Sequence, residues 1–235
     1  ELCQEVVLKK YRWEHGSLDN EVINKRDYYK KQRKAFLNEA RILSSLFDIK
    51  EVVKVLDYFE ERENAYIVME FVQGISLRQY LESRNQPMSF TEAWNFLLPV
   101  MEALEKVHQN KLIHRDISPD NFIIKEDGSI KLLDFGSARE YAEEKTMTVL
   151  VKKGYAPPEQ YSRKGKQGPW TDIYSICATL YEMITGVIPQ PAMERLKADK
   201  LYLPSSYGCD ITPLQEKILM KGLALDYKKR YPGST

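Results

Sequence analysis

The chain has 235 residues, of which 43% are hydrophobic and 29% charged, with a formal net charge of +1. That size and balance suit one large domain or two small lobes with a real core, and nothing in them argues for nucleic acid or an anionic membrane as the main partner. Cys3, Cys177 and Cys209 are far apart and in no metal-like spacing, which points to reduced packing residues in a cytoplasmic protein.

The opening residues are polar and charged, so no signal peptide is expected. "CQEVVLKKY" reads as a short strand. Residues 14–34 are dense in charge and read as a solvated connection leading into a helix. "KAFLNEARILSSLF" follows with apolar residues near helical spacing. "VVKVLDYFEERENAYIVMEFV" predicts two strands joined at "EEREN". "GISLRQYLESR" starts a helix with a Ser cap, and "SFTEAWNFLLPVMEALEKVHQN" is a longer amphipathic helix opened by Ser89 or Thr91. "FIIKEDGSIKLLDFG" predicts a hairpin turning at Asp127-Gly128. Residues 137–165 lack periodicity and read as a long ordered loop, a length that is usually functional. From residue 171 the pattern is helical. Its most apolar stretch, "IYSICATLYEMITGVIP", is led by Asp172 and broken by Glu182, which argues against a membrane span and against membrane contact by this domain. An anchor outside the given stretch stays open. Strands with one helix, then mostly helices, predict an α+β chain with two lobes joined near residues 71–75.

The chemistry-bearing residues cluster in "LIHRDISPDNFII", residues 112–124, where Asp116 and Asn121 stand five apart between apolar segments. Asp134-Phe135-Gly136 lies eighteen residues after Asp116, and the hairpin between them can fold one acid back towards the other. Taken with Lys9 in "VVLK", Glu39 on the following helix and "LVKKGYAPPEQY", these motifs resemble a eukaryotic-like protein kinase, in the wording of its bacterial serine/threonine branch. The resemblance runs over almost the whole chain, in the family's order.

It implies a two-lobe fold: a small antiparallel sheet with one key helix in residues 1–72, and a mainly helical lobe in 73–235. It further implies ATP, Mg²⁺ and a protein substrate with a Ser or Thr acceptor, and no nucleic acid. Asp134 and Asn121 would hold metal, since Mg²⁺ prefers such oxygen ligands. Asp116 would accept or orient the substrate hydroxyl, and Lys9, fixed by Glu39, would pair with the phosphates. Met69 would be the gatekeeper, Glu70 and Val72 would hydrogen-bond the adenine edge, and Ile123 would be the apolar floor. Leu43, Val55, His114 and Phe135 map onto an apolar column. Asp172 would brace the His-Arg-Asp turn, and Glu159 would pair with Arg230. Arg115 would read a phosphate on Thr146 or Thr148, with a homodimer as one route to autophosphorylation.

The chain departs from the family in two places. The usual lysine two residues after the catalytic Asp is Ser118, and the usual threonine seven residues before Glu159 is Lys152. The two residue types look exchanged, so Lys152 is expected to supply from the loop the cation missing at 118. Second, no glycine-rich loop precedes Lys9, and the family's last helix lies past Arg230; both read as truncation or disorder. Two alternatives compete with a protein kinase: a nucleotide-binding or docking module without turnover (a pseudokinase), and a small-molecule kinase. The trimmed small lobe favours the first, the intact Lys9, Glu39, Asp116, Asn121 and Asp134 oppose it, and the activation segment opposes the second.

Overall fold

The computed structural model describes residues 5–11, 22–62, 64–135, 139–140, 151–162 and 164–233. The chain divides into two compact units, residues 1–72 and 73–235.

In the first unit, β3 (Asn64–Glu70) is the centre of an antiparallel sheet, flanked by β1 (Val6–Tyr11) and β2 (Val55–Glu61). The alternation of a strand puts Ala65 and Ile67 on the fully buried face. Register sets Lys9 opposite Ile67, and Met69 opposite both Val7 and Val55. Helix α1 (Val22–Ser45) packs on β2 and β3 and buries Ala40, Ile42 and Leu43, with Leu46 buried just past its end. It begins well upstream of the apolar periodicity, because the Lys-, Arg- and Gln-rich segment before it has high intrinsic helix propensity.

The second unit opens with β4 (Ile75–Ser76) and α2 (Leu77–Ser83), whose N-terminus is closed by a reciprocal Ser76–Gln79 capping box. Strand β4 pairs with β6 (Phe122–Ile124), and β6 with β7 (Ile130–Leu132). The β6–β7 turn is not the predicted two-residue type. Lys125 and Ser129 still pair across it, Gly128 takes φ 78°, and its amide bonds to the Lys125 carbonyl at 2.9 Å. That is a three-residue hairpin with glycine in the left-handed position. The Ser129 hydroxyl and amide and the Lys125 ammonium hold the Asp127 carboxyl down at about 2.

Helix α3 (Phe90–Gln109) is capped by Ser89, which accepts from the Glu92 amide, and buries Leu97, Val100, Ala103, Leu104 and Val107 to 1% exposure or less. Each large side chain so buried stabilises the fold by about 1.5–3 kcal/mol. Strand β5 (Leu112–Ile113) pairs with β8 (Arg139–Glu140). Helix α4 (Pro169–Thr185) is almost wholly buried, packing on α3, β5 and α6 (Pro213–Gly222), with the short α5 (Ala192–Arg195) between. Gly222 of α6 lies on α4: a β-carbon there would meet the Cys177 sulfur at 2.2 Å. Among the described residues no helix is long and apolar enough to cross a membrane.

Candidate active site

Strand β5 delivers the chain into residues 114–118, and one 3-10 turn, Pro119–Asn121, closes the loop before β6. The Asn121 amide donates to the Ser118 carbonyl at 3.0 Å, and its carbonyl accepts from Leu133 at 2.8 Å. This tight turn brings Asn121 back over Asp116: Nδ2 donates to the Asp116 carbonyl at 2.6 Å and to its Oδ2 at 3.0 Å. Burial pushes the Asp116 carboxyl above its ordinary range and Asp134 adds to this, against the opposing pull of His114, Asn121 and Lys152.

The loop rests on Asp172, in the first turn of α4 and fully buried. Its Oδ2 accepts from His108 Nε2 at 2.8 Å and from the His114 amide at 2.9 Å; its Oδ1 accepts from the Arg115 amide at 2.9 Å. Burial alone would raise this carboxyl, but His108 and the loop outweigh it and hold it below the ordinary range. Arg115 has φ 72°, a left-handed conformation uncommon outside glycine. Asp172 holds its amide and Gln160 Nε2 its carbonyl, at 2.7 Å, so the turn is fixed from both sides. Both nitrogens of His114 serve the backbone: Nδ1 accepts from the Asp116 amide at 3.2 Å, and Nε2 donates to the Leu133 carbonyl at 2.9 Å. Its ring stands edge-on to Phe135, 4.4 Å between centroids.

Ser118 is fully buried, and Lys152 Nζ donates to its Oγ at 2.9 Å across thirty-four residues of chain. The same ammonium pairs with Asp120. Asp134 has φ 52°, tolerated by Asp more readily than by most L residues, and its side chain is exposed.

Among the described residues no three His, Cys, Asp or Glu side chains gather into a metal cage. Asn121 and Asp134 fit a different metal habit. They are sparse hard oxygen donors, of the kind Mg²⁺ takes together with water and phosphate oxygens. Asn121 spends its Nδ2 on Asp116, which leaves Oδ1 as the donor, and Asp134 is near enough to Asp116 to raise its carboxyl.

A family model described as the protein kinase domain matches residues 11–216. The chain belongs to the protein kinase family. It is 34% identical to the serine/threonine-protein kinase PrkC of Bacillus subtilis, over 98% of this chain and 35% of that protein. It is 35% identical to the serine/threonine-protein kinase PknL of Mycobacterium tuberculosis, over 70% of this chain and 43% of that one. Among solved structures, one described as "PpkA-294 apo form" superposes with a TM-score of 0.75 at 30% identity, covering 93% of this chain and 76% of that one. The chain thus spans about a third of the length of the curated kinase PrkC.

Within this kinase domain, Glu159 and Arg230 form a bidentate buried pair at 2.7 and 3.1 Å, and Thr171 Oγ1 donates to the same Glu159 at 3.1 Å. Arg115 is only 3% exposed, and its Nε donates to Gln167 at 2.7 Å. Lys9, Met69, Glu70 and Val72 lie in the first unit, with Leu43 and Val55; Glu70 exchanges main-chain and carboxylate bonds with Lys54. Ile123 lies in the second unit on β6, half-buried. The Glu39 side chain, Gly136, Thr146 and Thr148 lie outside the described residues.

Sequence reasoning missed several side chains that hold this site. Asp120 stands two residues from Ser118 in "SPDN", and a carboxylate so close to an expected lysine contact was a usable signal. His108 and Gln160 had none, because their partners are 64 and 45 residues away.

Proposed function

We propose that this domain transfers the γ-phosphoryl group of ATP to serine or threonine hydroxyls of a protein substrate, and to its own activation segment. Asp116, held by the Asn121 amide through one carboxylate oxygen, offers the other to the acceptor hydroxyl and takes or orients its proton. Its raised carboxyl suits that task, since a better base moves a proton with less cost. Asn121 and Asp134 hold Mg²⁺, which neutralises charge on the phosphates when bound. Lys9 with Glu39 is assigned to the phosphates, and Met69, Glu70, Val72 and Ile123 to adenine. Lys152 supplies a cation beside Asp116, and Ser118 the hydroxyl that the family has on the other segment; lysine suits either origin because it acts as a point charge on a long stem. Thr146 or Thr148 is the modified residue, and Arg115 its reader. A location in the cytoplasm accords with this chemistry.

The observation that carries the reading is the Asn121–Asp116 pair with the Lys152–Ser118 bond beside it. The specificity for Ser and Thr rests on the relatives. The test is transfer of labelled phosphate from ATP with Mg²⁺ to a Ser/Thr substrate by the full-length protein, with Asp134→Asn as control. Label lost in the control is the expected result. ATP binding without transfer in the unaltered protein would overturn the reading. Lys152→Ala is expected to lower turnover by about 10²-fold, the scale of losing one preorganised charge at a reaction centre.

A further inference from the structure

Ser118 is one of two partners of Lys152. The Asp120 carboxylate that also pairs with the ammonium lies with the same Oδ2 at 3.7 Å from Arg78 Nε. Arg78 stands in the first turn of α2, and the rest of its guanidinium is taken up elsewhere. It pairs with Glu182 of α4, and its Nη2 donates to the Tyr155 hydroxyl at 2.6 Å. That hydroxyl in turn donates to Glu182. Tyr155 is three residues beyond Lys152, and the amides of Tyr155 and Ala156 donate to the Lys152 carbonyl at 3.1 and 2.9 Å. Arg78 therefore reaches Lys152 by two routes, through Asp120 to its ammonium and through Tyr155 to its backbone.

Arg78, Tyr155 and Asp120 are each held in one charge state by their neighbours. Burial works against the Arg78 cation, but Glu182 and Tyr155 more than offset it. Burial, and then Glu182, push the Tyr155 hydroxyl well above its ordinary range. At Asp120 burial is outweighed by Lys152 and Arg78, which hold the carboxyl low. A lysine with one neutral partner can swing on its four-carbon stem; a second, charged partner restricts that freedom.

We propose that Asp120 and Arg78 are positioning residues for Lys152. Asp120 fixes the ammonium beside Ser118 and Asp116, and Arg78 fixes both Asp120 and the Tyr155 turn against α4. The inference rests on Lys152 being the cation of the transfer step.

The test is a double-mutant cycle on the full-length kinase with one acceptor peptide, reading kcat and peptide KM. Asp120 is an exposed residue of the 3-10 turn, so Asp120→Asn does not threaten the fold. It is expected to lower kcat about tenfold with little change in KM, and to lower kcat less than about twofold further in a Lys152→Ala background. Arg78→Lys keeps a cation for Glu182 but cannot span Asp120 and Tyr155 together; it is expected to fold normally and lose kcat in the same sense. Independent, multiplying effects of Asp120→Asn and Lys152→Ala would overturn the relay and leave the Lys152 assignment intact. So would a raised peptide KM at unchanged kcat, which would make Asp120 a peptide contact. A Lys152→Ala variant with undiminished kcat would overturn both.

Discussion

Replacing Asp172 with Asn keeps the side-chain shape and removes one acceptor and the charge. If the remaining oxygen stays on the side of His108 Nε2 and the His114 amide, the new NH₂ faces the Arg115 amide, which now bonds to Asp172 at 2.9 Å. A buried donor left facing a donor costs about 1–3 kcal/mol, and turning two charge-assisted bonds into neutral ones costs about 1 kcal/mol each. The sum, about 3–5 kcal/mol, corresponds for a chain of 235 residues to a Tm lower by roughly 6–20 °C. Arg115 also loses one of the two bonds that hold its left-handed backbone, leaving only Gln160 on its carbonyl, so Asp116 is aimed less firmly. Turnover measured well below the lowered Tm is therefore expected to fall more than about tenfold, beyond any loss of folded protein. Urea unfolding with kcat at one low temperature measures both. A stability loss below about 1 kcal/mol would refute the hydrogen-bond accounting. A full stability loss with unchanged kcat would show that Asp172 supports the fold without orienting the catalytic loop.

Asp116→Asn is expected to abolish most turnover, about 10²–10⁴-fold, while leaving the domain at least as stable at neutral pH. The folded carboxyl is raised, so its ionised form opposes folding and the amide relieves that penalty; a lower Tm would contradict this. Asp172 has the opposite sign: its contribution is complete above the ordinary carboxylate range and is lost as pH falls through its lowered folded value. A pH titration of stability should show that loss below about pH 4, and Asp172→Asn should flatten it. Glu159→Gln strands a buried guanidinium and should cost about 3–5 kcal/mol by chemical unfolding. Gly222→Ala, whose added carbon would meet the Cys177 sulfur at 2.2 Å, should cost about 1–3 kcal/mol, and Cys177→Ala in the same chain should recover part of it.

The alternation of "NAYIVME" and the cap before "LRQYLES" carried enough information to place β3 and α2, because strand period and capping act within a few residues. The hairpin turn misled: Asp127-Gly128 is a two-residue signal, yet the pairing of Lys125 with Ser129 leaves a third residue in the connection. At the site, the spacing from Asp116 to Asn121 is short enough for one turn to join them, so sequence alone pointed to both. Lys152 and Ser118 were legible differently, as two departures from one pattern, and they lie in hydrogen-bond contact. Arg78 was invisible, because its tie to Glu182 spans 104 residues and no local pattern encodes such a meeting. Long-range polar pairs in a core are set by packing, and a sequence read alone shows only their unpaired halves.

The two anchors of the catalytic loop differ in their access to water. Asp172 is sealed from solvent, whereas the Lys152 and Asp120 side chains remain 37% and 42% exposed. Dissolved ions screen charges at the surface over about 8 Å at physiological ionic strength and hardly act on buried ones. Added salt should therefore loosen Lys152 while leaving the Asp116 turn in place. With Lys152 as the proposed cation of the transfer step, turnover is then expected to respond to ionic strength while the buried Asp172 anchor does not.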